Sequence, residues 1–266
     1  RWRCKTESIS RLLEVTQHSW AHAFYITLAH NFGFHTNSLP FESLALQTPL
    51  SCLQKHRNSL FQVTAILLGQ SGLLSAETAV TDEQQRLLAE YQFLQKKFSL
   101  QPMEPKVWKR ARLRPQNAPE VRIRQFAQLL CQSEFLFSQV LNAQTIEDLR
   151  HLLRLSATDS ATIDVPPAIG KSSVDVLLIN TFLPYQYAYA REQNDHRSMQ
   201  QALALMTQLP PEDNTIIRQW RMLGQEVLSA ADTQALIHLY QHYCQHERCI
   251  HCEVGSQVFG RISFVK

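Results

Sequence analysis

The chain has 266 residues, 44% hydrophobic and 18% charged, with 26 Lys and Arg against 23 Asp and Glu for a formal net charge of +3. This supports one large or two small globular domains with a sizeable core, and it makes any strong basicity a local matter. No run of about 18 apolar residues and no opening signal peptide is present, which leaves membrane insertion and secretion without support. Seven glycines are too few for a strand-and-turn protein and move the expectation to an all-α fold, a multi-helix bundle or irregular helical array with short loops.

The chain opens Arg1-Trp2-Arg3-Cys4 without a methionine, already near a helical pattern, so it reads as the C-terminal part of a longer protein. Thr6-Glu7-Ser8-Ile9 then starts a long helix to about Asn31, with Gly33 as its stop. Ser38-Leu39-Pro40 starts a short helix. Thr48-Pro49 caps a longer one through Leu68 to Gly69 and Gly72, and Thr81-Asp82-Glu83 begins another that Pro102 and Pro105 end.

Between Trp108 and Arg124 positive charge concentrates: Lys109, Arg110, Arg112, Arg114, Arg122 and Arg124, with Lys106 before them, face only Glu104 and Glu120. Asn117-Ala118-Pro119-Glu120 reads as a helix start, capped by Asn or Ala with proline in the first turn. Arginines crowded before the positive end of a helix dipole are disfavoured, so something negative is required there. Acidic side chains of the fold, a small anion on Lys109, Arg110, Arg112, Arg114 and Arg122, or nucleic-acid phosphate would each serve. Ile123, Phe126, Ala127 and Leu130 form the apolar stripe and place Arg122 and Arg124 on opposite flanks of it, unlike a DNA-reading helix. If Arg114 is paired internally, its removal destabilises more than an ordinary surface change.

Residues 119–131, 135–141 and 146–155 read as three more helices. Residues 156–170, rich in Ser, Thr, Asp and Pro, read as a linker or loop between a helical domain 1–155 and a helical region 171–266, the two packed separately or as one. Residues 174–182 are almost wholly apolar, Pro184 kinks or ends that helix, and Tyr185, Tyr187 and Tyr189 follow at a spacing that suits core-edge packing better than a stacking face. Helices over 199–209 and 214–223 precede a last one capped by Asp232 and running through Tyr243.

His238, His242 and His246 recur every fourth residue, and Cys244, Cys249 and Cys252 follow closely. Cys249-Ile-His-Cys252 is half of a zinc site that Cys244 with His246, His251 or a distant cysteine could complete as a structural centre. The CxxxxCxxC spacing also opens a plant-type iron–sulfur pattern but lacks its fourth cysteine, and buried structural thiols are the third reading. With Cys4, Cys52 and Cys131 scattered singly, the cysteines fit a reducing, cytoplasmic compartment. No HExxH, Walker loop or GxSxG pattern marks a catalytic centre.

Taken together, Asn31-Phe-Gly-Phe34, Pro40-Phe41-Glu42, Leu68-Gly-Gln70, Trp108 with Arg112-Leu-Arg-Pro115, Asn117, Pro119 and Arg122, Leu178-Ile-Asn180, and Tyr243-Cys244 with Arg248-Cys249 and Cys252 resemble, in order, the uncharacterised family known as domain of unknown function 2851. The resemblance implies a longer protein with a preceding segment rich in Asp, Glu and His, absent here. It also implies an aromatic residue where Ala118 stands, and it assigns no role to any residue.

The reading that follows is an all-α binding or scaffolding domain with an anion site at the basic segment. Its partners would be an N-terminal domain of the same protein, a nucleic acid or another anion, and no membrane. The alternative is an accessory nucleic-acid-binding part of a metal-dependent hydrolase whose catalytic segment lies outside this sequence.

Overall fold

The protein is described here by a computed structural model covering residues 2–155, 164 and 166–262, with side chains to 257. All regular structure among the described residues is helical. The fold is an all-α array in two compact units, one of residues 9–185 and one joining residues 1–8 to 186–266. Of the expected linker, residues 156–163 and 165 lie outside the described residues.

In the 9–185 unit, α1 (Trp2–Val15) enters at Ile9 and is followed by α2 (Trp20–Phe32) and α3 (Ser38–Gln47). The single helix expected over residues 6–31 is two. Gln17 and His18 take left-handed backbone (φ 53° and 60°), and Ser19 then caps α2 by accepting the His22 amide. The helix expected from 50 to 68 is likewise two, α4 (Leu50–His56) and α5 (Leu60–Gln70), because Ser59 caps the second. Next come α6 (Asp82–Phe98), α7 (Pro119–Gln132), α8 (Leu136–Asn142), α9 (Ile146–Leu152), α10 (Lys171–Leu177) and the start of α11 (Leu183–Glu192).

Both α2 and α5 are apolar nearly all round and buried on most sides, so they form the centre of the unit. α2 packs on α3, and α5 on α6 and α7. Where they meet, Phe32, Phe41, Phe126 and Trp108 form a cluster with ring centroids 5.2–6.1 Å apart, each buried ring contributing about 2–3 kcal/mol of apolar burial.

Pro184 neither ends nor breaks its helix. A wide π turn over 178–182 joins α10 to α11, and Asn31 Nδ2 donates to the Asn180 carbonyl (3.3 Å), the one four residues before Pro184's missing N–H. Of the three tyrosines, Tyr185 is wholly buried, its hydroxyl 2.8 Å from Thr27 Oγ1.

In the other unit, α12 (His196–Gln208) and α13 (Thr215–Met222) pack on α14 (Ala230–His242), and α15 (Glu253–Ile262) follows. Asp195, Asn214 and Ser229 cap the first three. Asp232, expected as a cap, is instead the third helical residue, reciprocating Ser229 in a capping box. Ile217, Val227 and Ile237 form a small core with Ile216 and Leu236 against them. Residues 2–8 join this unit through Trp2, whose ring centroid lies 4.9 Å from that of Tyr187 in a tilted pair, and through Thr6 Oγ1, which accepts from Arg191 (3.0 Å). No described helix is long and apolar enough to cross a membrane.

Candidate functional site

The basic segment before α7 has no regular structure beyond two short 3-10 turns, so its position depends on pins from the core. Trp108 Nε1 donates to the Ser71 carbonyl (2.8 Å). Asn37 clamps the next residue from both sides: its Oδ1 accepts the Lys109 amide (2.9 Å) and its Nδ2 donates to the Lys109 carbonyl (3.0 Å). Upstream, the Met103 amide donates to the Gln70 carbonyl, and Gly72 sits so close that a Cβ there would lie 2.2 Å from the Met103 carbonyl oxygen. Its φ of 73° is a second reason for glycine.

This pinning brings Leu113 and Asn117 to the rim of a cavity of about 210 Å³, also lined by Phe34, Thr36, Asn37, Arg122 and Ser173. At about 30 Å³ per liquid water, it has room for a small polyatomic ion. Arg122 is its charged wall. The residue is only 8% exposed, and its guanidinium donates to Gln125 Oε1 (3.0 Å), Asn117 Oδ1 (2.7 Å) and Ser173 Oγ (3.3 Å). The Phe34 ring lies 4.2 Å from the guanidinium carbon. All these partners are neutral, and Nε is buried without one. Desolvation pushes the group's pKa down to about 10.

Two features add to the deficit of negative charge. Arg122 lies in the first turns of α7, at the positive end of the dipole, and Ala118 caps that helix without a side-chain bond. Asn117, which could have capped, turns to Arg122 instead. Phe34 reaches the guanidinium from a backbone with φ 44°, in the left-handed region that bulky residues rarely adopt.

The neighbouring acids are engaged elsewhere. Glu120 pairs with Arg110, and Glu83 accepts both terminal nitrogens of Arg124 (2.8 and 2.9 Å). Lys109, Arg112 and Arg114 are exposed, and among the described residues none of them has an ion-pair partner, so the condition for Arg114 as an internal strut is not met. The segment is therefore mixed: two arginines are neutralised by the fold, three cations face solvent, and Arg122 is buried without a counter-charge. Its spacing on α7 was legible beforehand. Phe34 and Ser173 were not, because they meet it from 88 residues before and 51 after.

In the other unit, α14 stops at His242, so His238 and His242 share a face while His246 falls in a short 3-10 turn. Cys244, Cys249 and His246 are exposed and Cys252 is buried. Burial first, then the nearby Cys252 and Cys249 thiols, raise the Cys244 pKa. Among the described residues, a trio of potential ligands with donor atoms all within 4.8 Å of one another is Cys4, His238 and His242. Cys4 Sγ lies 3.9 Å from His238 Nδ1 and 3.8 Å from His242 Nε2. The histidine spacing is visible in sequence; Cys4, on α1, gives no local hint of joining them.

The fold and these sites define an all-α protein with a buried, uncompensated guanidinium at a cavity of mixed polar and apolar lining. The model of the family described as protein of unknown function (DUF2851) matches residues 1–215, and the chain belongs to that family. No curated protein and no solved structure matches it.

Proposed function

We propose that the 9–185 unit is a binding module for a small oxyanion, a phosphate or a carboxylate group, held at Arg122 in the cavity before α7. The observation that carries this reading is a buried arginine, 8% exposed, whose guanidinium has only neutral hydrogen-bond partners, at the wall of a cavity that Asn37, Asn117 and Ser173 also line. An isolated buried charge is expensive, and the helix dipole adds to the cost, whereas an oxyanion would offset both and take donors from Arg122 and Ser173. Titration calorimetry with inorganic phosphate at low ionic strength tests it. Wild-type protein binds, and Arg122→Gln does not. Equal binding by both sinks the proposal.

The exposed Lys109, Arg112 and Arg114 favour a second reading, in which the oxyanion is a phosphate of a nucleic-acid strand and these side chains contact its neighbours. Binding of a short oligonucleotide would then weaken with salt at a logarithmic slope of about 0.7 to 0.9 per phosphate contacted. Joint replacement of Arg112 and Arg114 by Ala would lower that slope. No binding at low salt leaves the small-anion reading alone.

A further inference from the structure

We infer that Cys4, His238 and His242 form a binding site for a zinc-class divalent transition metal with one coordination position open to exchangeable ligand. The thiol and the two imidazoles come from two helices more than 230 residues apart in sequence. His238 and His242 sit four apart on α14, which puts both rings on one face, their centroids 4.3 Å apart. Cys4 lies in the first turn of α1 between Trp2, packed on Tyr187, and Thr6, bonded to Arg191, so the two contacts that seat residues 2–8 on this unit also place the thiol.

The two sulfur–nitrogen distances lie near those a metal requires, and all three donor atoms lie within 4.8 Å of one another. Tetrahedral zinc, with bonds of about 2.3 Å to sulfur and about 2.0 Å to nitrogen, holds a sulfur and a nitrogen ligand about 3.5 Å apart. The two contacts here, 3.9 and 3.8 Å, exceed this by a few tenths of an ångström, within reach of rotamer adjustment. One thiolate and two imidazoles form a borderline-soft donor set suited to zinc and poorly suited to magnesium or calcium. Binding requires the Cys4 thiol to release its proton to solvent while both imidazoles bind as neutral donors. Three protein ligands leave the fourth position for water or another ligand, and His242 is exposed, so that position lies on the solvent side. The metal would also fasten the first turns of α1 to α14, joining the two ends of the chain that make up this unit.

The test is titration of the full chain, without a histidine tag and under reducing, chelator-treated conditions, first with Co²⁺ as a spectroscopic probe and then with Zn²⁺ in competition. Wild-type protein develops visible ligand-field bands and a near-ultraviolet sulfur-to-cobalt band at one equivalent, and Zn²⁺ abolishes both. Cys4→Ser removes the sulfur band, while Cys249→Ser combined with Cys252→Ser leaves it intact. His242→Ala, at an exposed position, weakens binding with unchanged helical circular dichroism, and it serves as the check should Cys4→Ser fail to fold. The proposal is overturned if wild-type protein shows no sulfur band. It is equally overturned if the band survives Cys4→Ser, or survives His242→Ala at undiminished affinity.

Discussion

Replacing Arg122 by Gln separates a guanidinium that awaits an anion from one that merely braces the fold. The fall of its pKa from the ordinary guanidinium range to about 10 corresponds to about 3 kcal/mol of charge penalty in the folded state, which we discount to about 2 for screening at the cavity mouth. Arg122→Gln removes that penalty. It also gives up bonds to Asn117, Gln125 and Ser173 and the contact with Phe34, together worth about 2–4 kcal/mol net. The two nearly cancel, so without added anion the variant loses no more than about 2 kcal/mol in urea denaturation. An arginine paired to a buried carboxylate would instead cost about 3–5 kcal/mol. Phosphate at a hundredfold excess over its Kd then stabilises the wild type by about 2.7 kcal/mol, raising Tm by about 5–10 °C for a unit of this size, and leaves the variant unmoved. A variant that loses more than about 3 kcal/mol before anion is added, or that keeps the phosphate-induced rise, refutes the reasoning.

Arg114→Ala, at an exposed position, should change the denaturation midpoint by less than about 0.5 kcal/mol; a larger loss would reveal an internal partner. Arg124→Ala strands Glu83 in a pair whose side chains are 13% and 12% exposed, and should cost about 3–5 kcal/mol at pH 7. Burial raises the Glu83 pKa, but hydrogen bonds and charge from Arg124, with the Asp164 amide, outweigh it and hold the carboxyl below its usual 4.5. The pair's stabilisation is thus complete above about pH 4.5 and is lost as pH falls through the lower folded value. The wild-type advantage over Arg124→Ala should shrink in acid, and a difference constant from pH 7 to pH 3 would contradict this. Gly69→Ala would set a methyl 2.1 Å from the Tyr91 ring, which is buried and bonded to Gln70 through its hydroxyl. Overpacking of about 1–3 kcal/mol should exceed the helix-propensity gain of about 1, and restored stability in Gly69→Ala combined with Tyr91→Leu would confirm the clash.

How much of this was open to reading from sequence varies by element. Scarce glycine, the 3.6-residue apolar period and caps such as Thr81, Thr145 and Asn214 are local properties, so the all-α fold and most helices follow from them. The same logic failed at Gln17 and His18 and again at Ser59, where a polar cap embedded in a continuous apolar pattern splits the helix. At Pro184, where a kink or an end was expected, the helix does not end but runs on through a π turn, and a distant Asn31 supplies a donor to the carbonyl left by the proline.

The candidate sites divide along the same line. Charge density pointed to the stretch before α7 as the place for an anion, since seven cations against two acids are visible in one window and the dipole argument is local. Which cation is buried without a counter-charge was a tertiary outcome: Glu83 reaches Arg124 across 41 residues, while the partners that reach Arg122 are all neutral. The trio proposed to ligate a metal is more extreme. Two histidines four apart announce a shared face, but the thiol between them arrives from α1, and only the packing of Trp2 and Thr6 against Tyr187 and Arg191 brings it there. Periodicity and composition determine which residues must be buried or capped, because those requirements act within a few residues. Which charges are cancelled and which donors converge depends on long-range chain closure, and so belongs to the tertiary structure alone.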